Sequence, residues 1–224
     1  MADPGKRLPV VHTFWHRRVA LQGCVDVEPP PWPRYMGVMN SAALTVPLAD
    51  PDEAELLAIL VAPHPTLRAR CRPVTHADDD QVRDLVARMF AAMYRAPGIG
   101  LAAPQVGVTL RLAIVDLMPD EKKAPIVLIN PEVIAESDEL AGREEGCLSL
   151  PGQYADVIRP ARVKVRFTDI AGARRELEAD GLLSACLQHE IEHLDGVLFI
   201  DHLSVLKRNI LMRRLTKEQR QKGR

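Results

Sequence analysis

The sequence predicts an α+β fold: antiparallel or mixed sheets around a central helix carrying an HExxH pattern, with a further helix at the C-terminus. Three observations predict it. In "HADDDQVRDLVARMFAAMYRAPGIG" (76–100), Val82, Leu85, Val86, Met89, Phe90 and Met93 recur at helical spacing. Asp78 to Asp80 supply the cap and first-turn acids, and Pro97-Gly98 ends the helix. Three strand-like runs follow, "LRLAIVDL" (110–117), "PIVLIN" (125–130) and "ARVKVRFTDI" (161–170). In the last, Val163, Val165 and Phe167 alternate with polar neighbours, as on a half-exposed antiparallel strand. Two helical patterns then close the chain: one through "CLQHEIEHLDG" (186–196), ending at Gly196, and a basic one through "SVLKRNILMRRLTKEQRQKGR" (204–224). Helix, strands, helix, helix is the order of an α+β domain, not of a βαβ parallel sheet.

The 224 residues suit one ordinary domain with a sizeable core. Residues 1–40 differ from the rest: they hold Phe14, Trp15, Trp32, Tyr35 and the proline-rich "EPPPWPR" (28–34), which neither a helix nor a central strand accepts. They are expected to be a disordered extension or the product of a misassigned start, with Met36 and Met39 as alternative starts. Residues 41–206 are expected to form the catalytic domain and 207–224 a basic C-terminal helix or tail. With 29 Lys+Arg against 30 Asp+Glu, the net charge of −1 excludes a whole-protein basic field for DNA. No apolar run approaches the ~20 residues of a membrane span, and no signal-peptide core is visible. A cytoplasmic location is expected in preference to organellar import. Cys24, Cys71, Cys147 and Cys186 are widely spaced and form no CxxC, so reduced thiols are expected, one of them available to a metal.

The chemistry starts at His189-Glu190-Ile191-Glu192-His193. Two imidazoles at i and i+4 on a helix can reach one ion, and the intervening Glu190 can take a proton from a metal-bound water. Leu182, Cys186, His189 and His193, spaced 4, 3 and 4, form one stripe. Cys186 reads as a small wall residue on it, because three ligands on one straight helix would not surround an ion. A protease signature would place its third histidine where Phe199 stands, and the downstream glutamate, Glu218, sits in the basic tail. Upstream, Cys147 lies in "REEGCLSLPG" (143–152), where its glycine and proline neighbours predict a bend. As a thiolate it would be a strong ligand, although a lone thiol reads more simply as inert. In "GIGLAAPQVG" (98–107) a helix precedes the glycines and Pro104 follows them, which rules out a dinucleotide loop. The glycines suit close backbone approach to a ligand. Gln105 offers an amide for an oxyanion, although by itself it reads as a surface glutamine.

Taken together, "GIGLAAPQ", "EGCLS" and "QHEIEH", in this order and spacing, resemble the three signature motifs of the peptide deformylases, in the bacterial type 1 branch. The resemblance spans roughly residues 56–215 and extends to "HPTLR" (64–68), "INPEV" (129–133) and "LEADGLL" (177–183). It implies a divalent metal held by Cys147, His189 and His193. Fe(II) is the implied native ion and Zn, Ni or Co its substitutes, although a Cys-His-His set by itself suits zinc. Glu190 would act as general base and then acid, with Gln105 and the backbone N–H of Leu148 receiving the oxyanion. Gly100 would hydrogen-bond the substrate backbone, while Ile99, Leu182, Ala185 and Cys186 would line the methionine pocket. Glu145 and Arg159 match a pair that buttresses the site. The implied partner is an N-formylmethionyl nascent peptide, with ribosome docking through the basic C-terminal helix. One letter departs from the pattern: Glu192 stands where the family usually has aspartate. An HExxH metallopeptidase and a non-catalytic metal-binding module are the competing readings.

Overall fold

The chain is described by a computed structural model over residues 57–118 and 123–222. The proposed extension at 1–40 lies outside the described residues. Helix α1 (Asp79–Arg95) precedes strands β1 (Gly100–Ala102), β2 (Leu112–Val115) and β3 (Ile126–Glu136). A hairpin, β4 (Leu140–Gly146) and β5 (Tyr154–Pro160), comes next, followed by β6 (Arg162–Thr168) and β7 (Arg174–Asp180). Helices α2 (Gly181–Leu194) and α3 (Val205–Lys222) complete the order.

Five strands form one sheet in the order β1-β2-β3-β6-β7, and β4-β5 stand apart. Every strand pair is antiparallel; the one parallel pairing among the described residues is an isolated Arg72–Leu110 bridge. Of the antiparallel or mixed sheets that were expected, the antiparallel form is the one present.

The layers follow from side-chain alternation. In β2, Ala113 and Val115 join a core with Leu187, Ile191 and Leu194 of α2, while Leu112 and Ile114 join another with Val86, Met89, Phe90 and Met93 of α1. A strand buried on both faces needs an uninterrupted apolar run, and "LAIV" supplies it. All six α1 positions picked out by their spacing are buried. A third core gathers Leu150, Phe199 and Ile200 against Leu211 and Leu215, one turn apart on α3.

Four strands exceed the sequence expectation. β3 runs six residues past Asn130 because Pro131 sits in a register irregularity between Ile129 and Glu132, where a missing N–H does no harm. Asn130, at φ 51°, turns its side-chain amide to Val74, accepting from its N–H at 2.8 Å and donating to its carbonyl at 2.9 Å. β7, "RRELEAD", was hidden by its charges. Opposite β6 they become a ladder, with Lys164 bridging Glu176 and Glu178 and Arg166 bridging Glu176. The β4–β5 hairpin was hidden for a related reason: it carries Glu145 and Arg159 buried where apolar side chains are the rule.

Two connections fix where α2 lies. Its C-terminal end passes through Gly196 at φ 77°, where a Cβ would come within 2.5 Å of the Arg68 carbonyl oxygen. Only glycine fits both demands. Arg111 forms an ion pair with Asp195 at 2.9 Å, tying the same end to the sheet.

Candidate metal centre

Helix α2 buries an unusual set of polar side chains. His189 is 8% exposed, Glu190 4% and His193 1%. Helical spacing places the two imidazoles one turn apart, with their ring centroids 4.9 Å apart and nearly perpendicular. Cys147 reaches them from the turn after β4, where the Leu150 N–H closes back onto the Cys147 carbonyl at 2.9 Å. One donor atom each from Cys147, His189 and His193 lie within 4.8 Å of one another, and Cys147 Sγ is 3.2 Å from His193 Nε2. Among the described residues this is the one such group of three.

Charge holds the trio in place. Glu145 accepts from His189 Nδ1 at 3.0 Å, which leaves Nε2 for an ion. Arg159 pairs with both oxygens of Glu145 and donates to Glu192 Oε1 at 2.8 Å. Burial by itself would raise the Glu145 pKa, but the hydrogen bonds from His189 and Arg159 outweigh it and hold the carboxyl down at about 2. Burial pushes His193 well below the ordinary histidine value, which keeps it a neutral ligand. Burial also lifts Glu190 to about 7, and its Oε2 is buried with no hydrogen-bond partner. An orphaned carboxylate oxygen in a buried site is a group aimed at something.

Facing α2 is β1. A Cβ on Gly100 would collide with the Glu190 carboxylate and come within 3.0 Å of Cys186 Sγ, so glycine is what lets this strand lie against α2. The carbonyl of Ile99 is 3.8 Å from Cys186 Sγ. Gln105 follows in a 3-10 turn and is 1% exposed, so its reading as a surface glutamine is corrected. Its Oε1 accepts from the Ala102 N–H at 2.8 Å, which turns its Nε2 toward Ser149 Oγ at 3.2 Å and Cys147 Sγ at 3.5 Å. Leu148 sits beside Cys147, partly buried under α1. Cys186 is buried beside the trio and is not part of it. Ala185 is 9% exposed, whereas Leu182 at the start of α2 is 47% exposed and forms the open end of the predicted stripe.

Some partners were missed. Phe199, noted only for being unable to ligate, stacks on His189 with centroids 6.2 Å apart. Ser149 and His202 were not singled out. Glu218 bonds Gln153 Nε2 at 3.4 Å, which accounts for the downstream carboxylate that a protease would need as a ligand.

The family model described as polypeptide deformylase matches residues 56–209. The chain belongs to the peptide deformylase family. It is 52% identical over 173 residues to a peptide deformylase of Bradyrhizobium sp. (strain ORS 278), covering 75% of this chain and 98% of that relative. A Brucella suis biovar 1 peptide deformylase is 49% identical over 160 residues, covering 71% and 91%. The crystal structure of a peptide deformylase from Legionella pneumophila superposes with a TM-score of 0.71 at 44% identity, covering 75% of this chain and 98% of that one. A Synechococcus elongatus deformylase in complex with actinonin gives 0.67 at 42%, covering 75% and 89%. Deformylase membership brings a catalytic divalent metal with it, and a donor set of one thiol and two imidazoles fits such an ion.

Proposed function

We propose that Cys147, His189 and His193 hold the metal of this deformylase, and that the surrounding site removes the formyl group from N-terminal formylmethionine of nascent polypeptides, releasing formate. One observation carries the assignment: the three donor atoms converge within 4.8 Å beside Glu190, whose buried Oε2 has no partner among the described residues. When bound, the ion supplies Lewis acidity and an acidified water.

The side chains do the rest. Glu190 takes a proton at Oε2 as water adds to the formyl carbon, and returns it to the departing amine. A pKa of about 7 suits both directions at neutral pH. Gln105 Nε2, oriented through its own Oε1, and the Leu148 N–H receive the charge that grows on the formyl oxygen. The Gly100 backbone pairs with the substrate peptide group, and Ile99, Leu182, Ala185 and Cys186 receive the methionine side chain. Cys147 and Glu145–Arg159 keep His189 and His193 in register for the ion.

Fe(II) is the proposed native ion, with Zn, Ni or Co as substitutes. Anaerobic preparations should hold iron, and air should inactivate them by oxidising Cys147. The deciding assay is formate release from formyl-Met-Ala-Ser by anaerobic, Fe(II)-loaded protein. A rate no higher than that of Glu190→Ala would overturn the proposal.

A cytoplasmic enzyme working on nascent chains would benefit from the ribosome nearby. Leu211 and Leu215 face the core, leaving Lys207, Arg213, Arg214, Lys217 and Arg220 of α3 exposed for ribosomal RNA. No helix of the described residues is long and apolar enough to cross a membrane. Neutralising Arg213, Arg214 and Lys217 should weaken ribosome co-sedimentation and flatten its salt dependence. Unchanged sedimentation would remove this role.

A further inference from the structure

The 3-10 turn Phe199–His202 touches the metal helix at two separate points. Phe199, at its start, stacks on the His189 ring at 6.2 Å with an interplanar angle of 23°. His202, at its end, donates from Nε2 to Glu192 Oε1 at 2.9 Å; a carboxylate can only accept, so this nitrogen carries the proton. The same oxygen accepts from Arg159 Nη1 at 2.8 Å. Arg159 grips Glu145, and Glu145 holds His189 Nδ1.

The contacts therefore close a ring: His189, Glu145, Arg159, Glu192, His202, and back through the turn to Phe199 and His189. The turn is itself anchored. Asp201 accepts from the Leu198 N–H at 2.9 Å and pairs with Arg68. Arg159 is 4% exposed, so its charge needs both carboxylates.

We infer that Glu192 and His202 are positioning residues that lock the orientation of the metal ligand His189 through Arg159 and Glu145, with the Phe199–His202 turn as the fixed frame. The side-chain length at position 192 matters because a single oxygen must serve Arg159 and His202 together. An aspartate, one methylene shorter, should not serve both partners. The inference rests on His189 being a metal ligand.

The test uses Co(II)-loaded full-length protein, whose cobalt–thiolate absorption reports the ion directly. Loss of that band to excess EDTA is timed, and kcat and KM for formyl-Met-Ala-Ser are measured alongside. His202→Leu and Glu192→Asp should each speed metal loss by about tenfold, the lower end of what partners of metal-bound histidines contribute. Both should lower kcat and leave KM unchanged. The double variant should be no faster than either single one, since both cut the same link. His202→Gln, which places an amide donor near the Nε2 position, should restore the wild-type rate. Unchanged metal loss in His202→Leu and Glu192→Asp overturns the inference, as does multiplication of their effects in the double variant. If the wild type itself takes up no Co(II) with a thiolate band, the metal-site assignment fails instead.

Discussion

Helices α1 and α2 cover opposite faces of one sheet, yet they are built on opposite principles. The buried residues of α1 are all apolar, from Val82 to Met93. Helix α2 buries Ser184, Gln188, His189, Glu190 and His193 among its apolar ones. The α1 contact is non-directional, so its worth grows with area. The α2 contact is directional: each polar group needs a partner at a set distance, or else stands unpaired at a cost. Stability and chemistry have been assigned to different sides of the sheet. Glu190 Oε2 shows the division most clearly, because it is buried without a hydrogen-bond partner among the described residues, at the place where the proposed reaction needs a proton carrier.

The largest expected effect sharpens that division. Glu190→Gln should lower kcat by about 10²–10⁴-fold, the range of a lost proton carrier. The amide cannot take the proton, yet it keeps the size of the side chain. Metal content should stay at the wild-type level, and the melting temperature should not fall, since a buried carboxyl has been replaced by a neutral group. A variant that loses its metal together with activity would assign Glu190 to holding the ion.

The converse experiment is on α1. Phe90 is 1% exposed and stacks on Tyr94 with centroids 5.8 Å apart. Phe90→Ala should cost about 3–5 kcal/mol of stability. Below its lowered melting temperature the folded enzyme should keep its kcat. If kcat dropped in proportion to stability, the two faces of the sheet would be coupled and the comparison would break.

The same division decides what could be read from the sequence. The six α1 positions and the alternation in β6 were visible because apolar burial leaves a periodic trace. The strands β4, β5 and β7 leave no such trace, since Glu145, Arg159, Glu176 and Glu178 are charged residues whose partners lie across on the neighbouring strand or on α2. Within the site, helical spacing alone exposed His189 and His193. Cys147 lies 42 residues before His189, and only the family resemblance tied it to them. The burial of Gln105 was not visible, because what hides it is a backbone N–H at Ala102 and a hydroxyl at Ser149. Phe199 was read for what it cannot ligate, and its stacking on His189 has no sequence signature.

Gln105 therefore offers a narrower test on the catalytic side. Gln105→Ala removes the amide proposed to receive the oxyanion and should lower kcat by about 10²–10³-fold, with KM little changed. Gln105→Glu keeps the acceptor for Ala102 but brings a carboxylate against Cys147, so it should not rescue. Recovery in the glutamate variant would mean that Gln105 works by bracing the Ala103–Val106 turn, and not by charge stabilisation.

The smallest expected effect lies on the structural side, at Asn130. Its amide makes two hydrogen bonds to Val74, and Val74 packs against the α1 core. The position has φ 51°, which glycine adopts without strain, so Asn130→Gly removes the side-chain bonds while keeping the backbone path. The loss should be about 1–3 kcal/mol in denaturant unfolding, part of it from the greater freedom of an unfolded glycine. Asn130→Ala keeps the chain stiffer when unfolded but must hold a left-handed backbone, so it should be no more stable than the glycine variant. Because the Asn130 side-chain bonds go to Val74 on the α1 side, formate release should be unchanged in both. A fall in kcat there would show that a polar contact on the structural face still reaches the metal, and would confine the division between the faces to their apolar residues.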